Sequence, residues 1–238
     1  MVERTENQGV TLTAKINEMR NTTNSDQSEI EFLEIAEDAR PIEKILLTSF
    51  PRSGNTLIRT YLEKITRVLT GSDCDIKRPL NKQLKEMGLS GEGKMDDSVW
   101  IVKSHFPERI GSALFNANKC IVIVRNPLDC IYSLFNMVGT TTHSESLNEE
   151  MLKRVMSDTN LWDRFIQQEV TVWADFHTYW IKSPLLPTHF IRYEDLLENP
   201  GEALTEMSKF LLNTDSLADY PALNNTIREI SDQSHTKD

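Results

Sequence analysis

KILLTSFPRSGNTLIRTYLEKITRVL, residues 44–69, is the stretch that decides the fold. It opens as a short apolar run, KILLTSF, and passes through a turn made of Pro51, Arg52, Ser53 and Gly54. It then carries Leu57, Ile58, Tyr61, Leu62, Ile65, Val68 and Leu69 at helical spacing. Strand, turn and helix in that order gather backbone N–H groups at one helix N-terminus, where the helix dipole favours an anion. Gly54 lets the backbone approach such an anion closely, Ser53 and Thr56 add hydroxyl donors, and Arg52 offers a planar fork of N–H groups.

Outward from this unit the pattern repeats. SVWIVKSHF (98–106) and KCIVIV (119–124) are near-continuously apolar, as strands buried on both faces of a parallel sheet are. Asn126 can cap a helix with Pro127 at its first position, and Leu128, Ile131, Leu134, Phe135 and Val138 give that helix an apolar stripe. A polar loop is expected over 139–148, and a long helix over 160–182 with Trp162, Phe165, Ile166, Trp173, Phe176 and Trp180 as core. THFIRYEDL (188–196) is a fourth strand running into a turn, and a helix with Leu204, Met207, Phe210 and Leu211 starts near Pro200. Residues 71–97 are rich in Gly, Lys and Asp and are expected to be irregular. Strands alternating with helices predict a three-layer α/β fold around a mostly parallel central sheet, with a P-loop-like strand–turn–helix. The expected organisation is a flexible acidic arm over 1–42 with room for a short helix, one domain over 43–225, and a polar tail over 226–238.

The chain has 238 residues and a formal net charge of −10. Its segments 1–43, 44–193 and 194–238 carry −6, +3 and −7, so only the middle suits a small polyanion. An acidic chain argues against nucleic-acid binding, which needs clustered Lys and Arg. No apolar run approaches the roughly 18 residues of a membrane span, so no membrane partner is expected. The polar N-terminus MVERTENQGVTLTAK lacks a signal peptide's apolar core, and cytoplasm is the expected compartment. Cys74, Cys120 and Cys130 show no metal-ligand spacing, and no metal is expected. Nothing in the sequence bears on oligomeric state.

Ligands of open α/β sheets bind at the carboxyl ends of the strands. Lys103 and His105 lie at one such end; Arg125 lies at another, a little over two helical turns from Ser133. A P-loop nucleotide kinase would need GxxxxGK[ST] and a strand-end Asp for Mg²⁺. The turn here has no Lys-Ser/Thr pair, and its strands end in Lys103-Ser104-His105 and Val124-Arg125-Asn126. Metal-assisted phosphoryl transfer is therefore disfavoured.

Over roughly residues 43–212 the chain resembles the cytosolic-type sulfotransferases. TSFPRSGNT is similar to their 5′-phosphosulfate loop, VKSHFP to the stretch with the catalytic histidine, and VRNPLDCIYS to the 3′-phosphate site. IRYEDLLENPGEAL is similar to the Tyr-Glu-Asp segment near the adenine and the helix after it. The resemblance implies 3′-phosphoadenosine 5′-phosphosulfate (PAPS) as co-substrate, its bisphosphate PAP as product, and a small acceptor with a hydroxyl or amine. It implies that Arg52, Ser53, Gly54, Asn55 and Thr56 hold the 5′ end, Arg125 and Ser133 the 3′-phosphate, and that Tyr193 lies near the adenine. His105 would be the general base, with Lys103 and Arg52 stabilising the transferring group and the departing oxygen. Arg52 stands where the common pattern has Lys, and the family's C-terminal Arg-Lys-Gly…Gly-x-x-x-Lys-type closing segment is absent from the sequence. The alternative the same residues allow is a catalytically weak PAP- or PAPS-binding protein of this fold.

Overall fold

A computed structural model describes residues 43–107, 115–157, 161–182 and 185–235. The expected arm over 1–42 lies outside them. Five strands, β1 (Ile45–Ser49), β2 (Gly71–Ser72), β3 (Ile101–Ser104), β4 (Lys119–Val124) and β5 (Thr188–Arg192), form one sheet in the order β2-β3-β1-β4-β5, every pairing parallel. Around it run α1 (Asn55–Thr66), α2 (Pro79–Glu86), α3 (Pro127–Thr140), α4 (Glu149–Ser157), α5 (Leu161–Lys182), α6 (Tyr193–Glu198), α7 (Pro200–Leu212) and α8 (Pro221–His235).

Alternate strand residues feed two separate cores, because successive side chains point to opposite faces. Ile45, Leu47, Ile101, Ile121, Ile123 and Ile191 pack with α1, α7 and α8. Leu46, Cys120 and Val122 pack on the other face with Cys130, Ile131 and Leu134 of α3 and Phe176 and Trp180 of α5. That is the expected three-layer arrangement, and Phe165, Ile166, Trp173, Phe176 and Trp180 of the α5 stripe join this core as expected, while Trp162 packs edge-on against Tyr132 and Phe135. Lys119, at the start of β4, reaches the end of α7, where its Nζ donates to the Phe210 and Leu211 carbonyls and Asn213 Oδ1 and pairs with Glu43 at 3.2 Å. A cation there satisfies the carbonyls that every helix C-terminus leaves open.

Several local expectations give way to tertiary context. The stretch 71–97 holds the two-residue strand β2 and the helix α2; a strand so short has no readable alternation. The helix α3 runs two residues into the expected loop, to Thr140, and α4 follows directly after that loop. Leu128 and Val138 of the expected α3 stripe are exposed, while Ile131, Leu134 and Phe135 are buried. THFIR is a strand, but its expected turn is the helix α6. Residues 226–235, expected as polar tail, continue α8, which buries Ile227 and Ile230 against the α1 face.

The helix α1 also buries two charges. The Arg59 guanidinium donates to Glu92 Oε2, to Thr70 Oγ1 at 2.8 Å and to the Thr70 carbonyl at 3.0 Å, and both ion-pair side chains are almost fully enclosed. Glu63 Oε1 accepts from the Thr70 amide and hydroxyl, and burial raises its carboxyl pKa. This network staples α1 to residues 70–92. Removing one partner of a buried pair strands the other charge, which costs about 3–5 kcal/mol. Arg59→Met should therefore lower unfolding stability by that amount in urea titrations, with part recovered in the Arg59→Met/Glu92→Gln double variant. A loss under about 1 kcal/mol, the range of an exposed pair, would contradict the enclosed geometry.

Candidate active site

The strand β1 ends against the turn Pro51–Gly54, which feeds α1. Both Arg52 (φ 66°) and Gly54 (φ 100°) adopt left-handed backbone, so the loop coils tightly before the helix starts. No side chain caps the α1 N-terminus, leaving its first amides to solvent or ligand. Gly54 is required for a second reason. A Cβ there would lie 2.3 Å from Cδ2 of Tyr193, whose ring covers the turn. The opposite pressure on that ring comes from Arg125, whose guanidinium carbon stands 4.4 Å from its centroid.

Arg125 leaves β4 and donates through NH1 to the Arg52 carbonyl at 2.7 Å. Its own carbonyl accepts from Trp173 Nε1 of α5 at 3.2 Å, which fixes the start of α3. Asn126 caps α3 as expected, its side chain accepting from the Leu128 amide, and its own amide donates to Glu194 of α6. The ends of β1, β4 and β5 are thereby locked around one cleft. Two donors there lack an oxygen acceptor: Arg125 Nε is buried without a partner, and the fully buried Ser53 hydroxyl lies beside the Cys130 thiol, a weak acceptor. Buried donors left unsatisfied each cost on the order of 1–3 kcal/mol. Their presence fits an anionic ligand that supplies the missing oxygens.

Arg52 turns differently from what the resemblance implies. Its Nε donates to Ser133 Oγ at 2.9 Å, NH2 to the His143 carbonyl at 3.1 Å, and NH1 lies 3.0 Å from His143 Nδ1. The guanidinium therefore sits beside Ser133 and α3. Burial first and the charge of Arg125 second lower its pKa. Neither guanidinium has a carboxylate ion-pair partner among the described residues. Two cations side by side without a counter-ion mark a place for a polyanion.

His105 follows β3 and its Nδ1 lies 2.7 Å from the Ser49 carbonyl. A carbonyl can only accept, so Nδ1 carries a proton and Nε2 is the ring atom that could take one up. Both flanks of His105 are pinned. Ser104 Oγ donates to Asp73 and accepts from the Phe106 amide, while the Phe106 carbonyl accepts from Thr48 Oγ1 and Trp180 Nε1. Ser104 and Phe106 also line a largely apolar cavity of about 210 Å³ with Leu46, Phe115 and Tyr179. Lys103, two residues earlier on the strand, is buried with Nζ 3.2 Å from Cys74 Sγ. Asn55 Nδ2 donates to Ser49 Oγ, and Thr56 is exposed on the first turn of α1.

The structure thus brings Arg52, Ser53, Gly54, Asn55, Arg125, Ser133 and Tyr193 around one cleft, with His105 joined to it through Ser49. His143 and Asp73 were not singled out from the sequence, and Trp173 was expected only as core of the long helix. His143 sits in a polar stretch, GTTTHSESLN, without periodicity, and Asp73 in a stretch without readable structure, so neither carried a local signal.

Among the described residues no group of His, Cys, Asp and Glu could hold a metal ion, and no helix is long and apolar enough to cross a membrane. Comparison with known proteins places the chain. A relative from Aedes aegypti, WSCD family member AAEL009094, is 30% identical over 169 residues, 71% of this chain and 50% of that protein. Dog sulfotransferase 1B1 is 26% identical over 189 residues, 73% of this chain and 60% of that protein. The chain therefore spans about half the length of the WSCD relatives it matches. Among solved structures, mouse sulfotransferase SULT7A1 complexed with PAP aligns over 96% of this chain and 71% of that one, at 15% identity and a TM-score of 0.47. A family model for the sulfotransferase domain matches residues 42–220, and the chain belongs to the sulfotransferase domain family.

Proposed function

We propose that the chain transfers a sulfuryl group from PAPS to a hydroxyl or amine of a small acceptor, with His105 as general base. The observation that carries this reading is the pair of buried donors without acceptors, Ser53 Oγ and Arg125 Nε, beside an uncapped helix N-terminus. A ligand with two separated anionic groups would satisfy both. Ser53, Gly54, Asn55 and Thr56 would hold the 5′ end, the side nearest the amides of α1. Arg125 and Ser133 would hold the 3′-phosphate, and the Tyr193 ring would set the adenine against the turn.

His105 would accept the acceptor's proton at Nε2 as the acceptor oxygen or nitrogen bonds to sulfur and the bond from sulfur to the phosphate oxygen breaks. Its bond to the Ser49 carbonyl holds the tautomer this needs. Like phosphoryl transfer, the reaction asks the protein mainly to position the groups and to stabilise spreading negative charge. Lys103 shares a strand with His105 two residues on, so their side chains leave the same face, and its ammonium would supply charge beside the transferring group. A guanidinium at position 52 stays protonated throughout, so Arg52 would act as a charge and donor only. This scheme passes no step through a metal.

Transfer of labelled sulfate from PAPS to a panel of hydroxyl and amine acceptors tests the reading. On the best acceptor, His105→Ala should lower the rate by about 10²–10⁴-fold, the worth of a positioned base, with PAP affinity nearly unchanged. A variant that keeps wild-type turnover would exclude His105 as the base. A wild-type chain that binds PAP yet transfers no sulfate to any acceptor would favour the binding-protein alternative.

Arg125→Ala removes one charged hydrogen-bond donor, worth about 1.5–3 kcal/mol. PAP affinity should fall roughly 10- to 100-fold, while adenosine 5′-phosphosulfate, which lacks the 3′-phosphate, should lose little. Equal losses for the two ligands would assign Arg125 to the fold or to the other phosphate.

A further inference from the structure

His143 touches a candidate site cation, and its bonds leave a single consistent proton arrangement. Its Nε2 is 3.0 Å from the Leu80 carbonyl of α2, which can only accept, so Nε2 carries the proton. Its Nδ1 therefore bears a lone pair, and Arg52 NH1 donates to it at 3.0 Å while Arg52 NH2 donates to the same residue's carbonyl at 3.1 Å. The amide of His143 lies 3.3 Å from Gln83 Oε1, a second tie to α2. One residue thus grips two arms of the guanidinium and is itself anchored to the helix α2. The third arm, Nε, goes to Ser133. Because Ser133 Oγ accepts from Arg52, its own hydrogen stays available to donate elsewhere.

We propose that His143 is a positioning residue that holds Arg52 against Ser133, committing Arg52 to the 3′-phosphate side of the nucleotide site. The assignment rests on the nucleotide reading given above, and differs from the sulfuryl-stabilising role that the family resemblance implies for position 52. Held there, Arg52 adds a second cation to Arg125 and orients the Ser133 hydroxyl as a donor. The device needs a neutral imidazole, since an imidazolium would present N–H to N–H and repel the guanidinium. The surroundings favour that form. Burial lowers the His143 pKa most; Arg52 from the turn and Lys103 from β3 lower it further, against the Leu80 carbonyl and Glu92, which raise it. The ring is neutral at pH 7 and stays so below the ordinary histidine value of 6.5, and the grip is lost only as pH falls through that lowered value.

The test compares PAP with adenosine 5′-monophosphate, so that the ratio of their dissociation constants reads the 3′-phosphate alone. At pH 7.5 His143→Ala should cut that preference about tenfold, the size of one hydrogen bond to a charged group. His143→Asn, whose amide oxygen can accept from Arg52 in place of Nδ1, should keep most of it. Between pH 7.5 and a pH below the lowered His143 value, located by NMR, the wild type should lose preference relative to His143→Asn, because titration of the phosphate itself is common to both. Without any ligand, Arg52→Ala should raise the His143 pKa followed by NMR. A wild type that binds PAP no more tightly than the monophosphate overturns the nucleotide reading. A wild type that prefers PAP, with all three forms alike at both pH values, or with equal losses for the two nucleotides, overturns the positioning role alone.

Discussion

The ring of Tyr193 and the missing side chain of Gly54 occupy one space, and the site depends on that fit. A single Cβ at position 54 would overlap the ring at 2.3 Å, so the turn can lie under Tyr193 only because residue 54 is glycine. The same ring takes the Arg125 guanidinium at 4.4 Å. One contact therefore registers the ends of β1, β4 and β5 against each other. It also covers one side of the loop, which leaves the amides at the start of α1 facing a defined cleft. The left-handed φ of 66° at Arg52 belongs to the same arrangement. Such a conformation is unfavourable for a side-chain-bearing residue, and Arg125 on its carbonyl and Ser133 and His143 on its guanidinium hold it in place.

Charge gives this geometry its purpose. Burial lowers the Arg52 pKa, and the neighbouring Arg125 charge lowers it further. With the Ser53 hydroxyl and Arg125 Nε lacking acceptors, the cleft carries two like charges and two unused donors. Two other buried charges are settled internally: Arg59 with Glu92, and Lys119 with the end of α7 and Glu43. The contrast separates groups that stabilise the fold from groups left open for a ligand.

Much of this was legible in the sequence, because the fold rests on strong local signals. SVWIVKSHF and KCIVIV could be read as buried parallel strands since every residue of β3 and β4 but the last of β4 is buried. Asn126 with Pro127, and Gly54 before a helical period, marked the two helix starts that bound the cleft. What could not be read depended on contacts between distant segments. The strand β2 exists only because Gly71 and Ser72 pair with Val102 and Lys103, and α8 holds because its apolar residues meet α1 and α7. The direction of the Arg52 side chain is of the same kind. Its family-like position suggested the 5′ end, yet its partners lie 81 and 91 residues away at Ser133 and His143. No spacing rule connects them.

The central claim is that this cleft was built for a nucleotide with separate 3′ and 5′ anionic groups, and not for a metal-bound triphosphate. Calorimetric titration of the wild-type chain with PAP and, separately, with ATP and Mg²⁺ at physiological salt tests it most directly. PAP should bind with a defined one-to-one stoichiometry and an affinity that falls as salt is raised, while ATP with Mg²⁺ should bind far more weakly or not at all. Equal or tighter binding of ATP with Mg²⁺, or no heat from PAP at any salt concentration, would contradict the account.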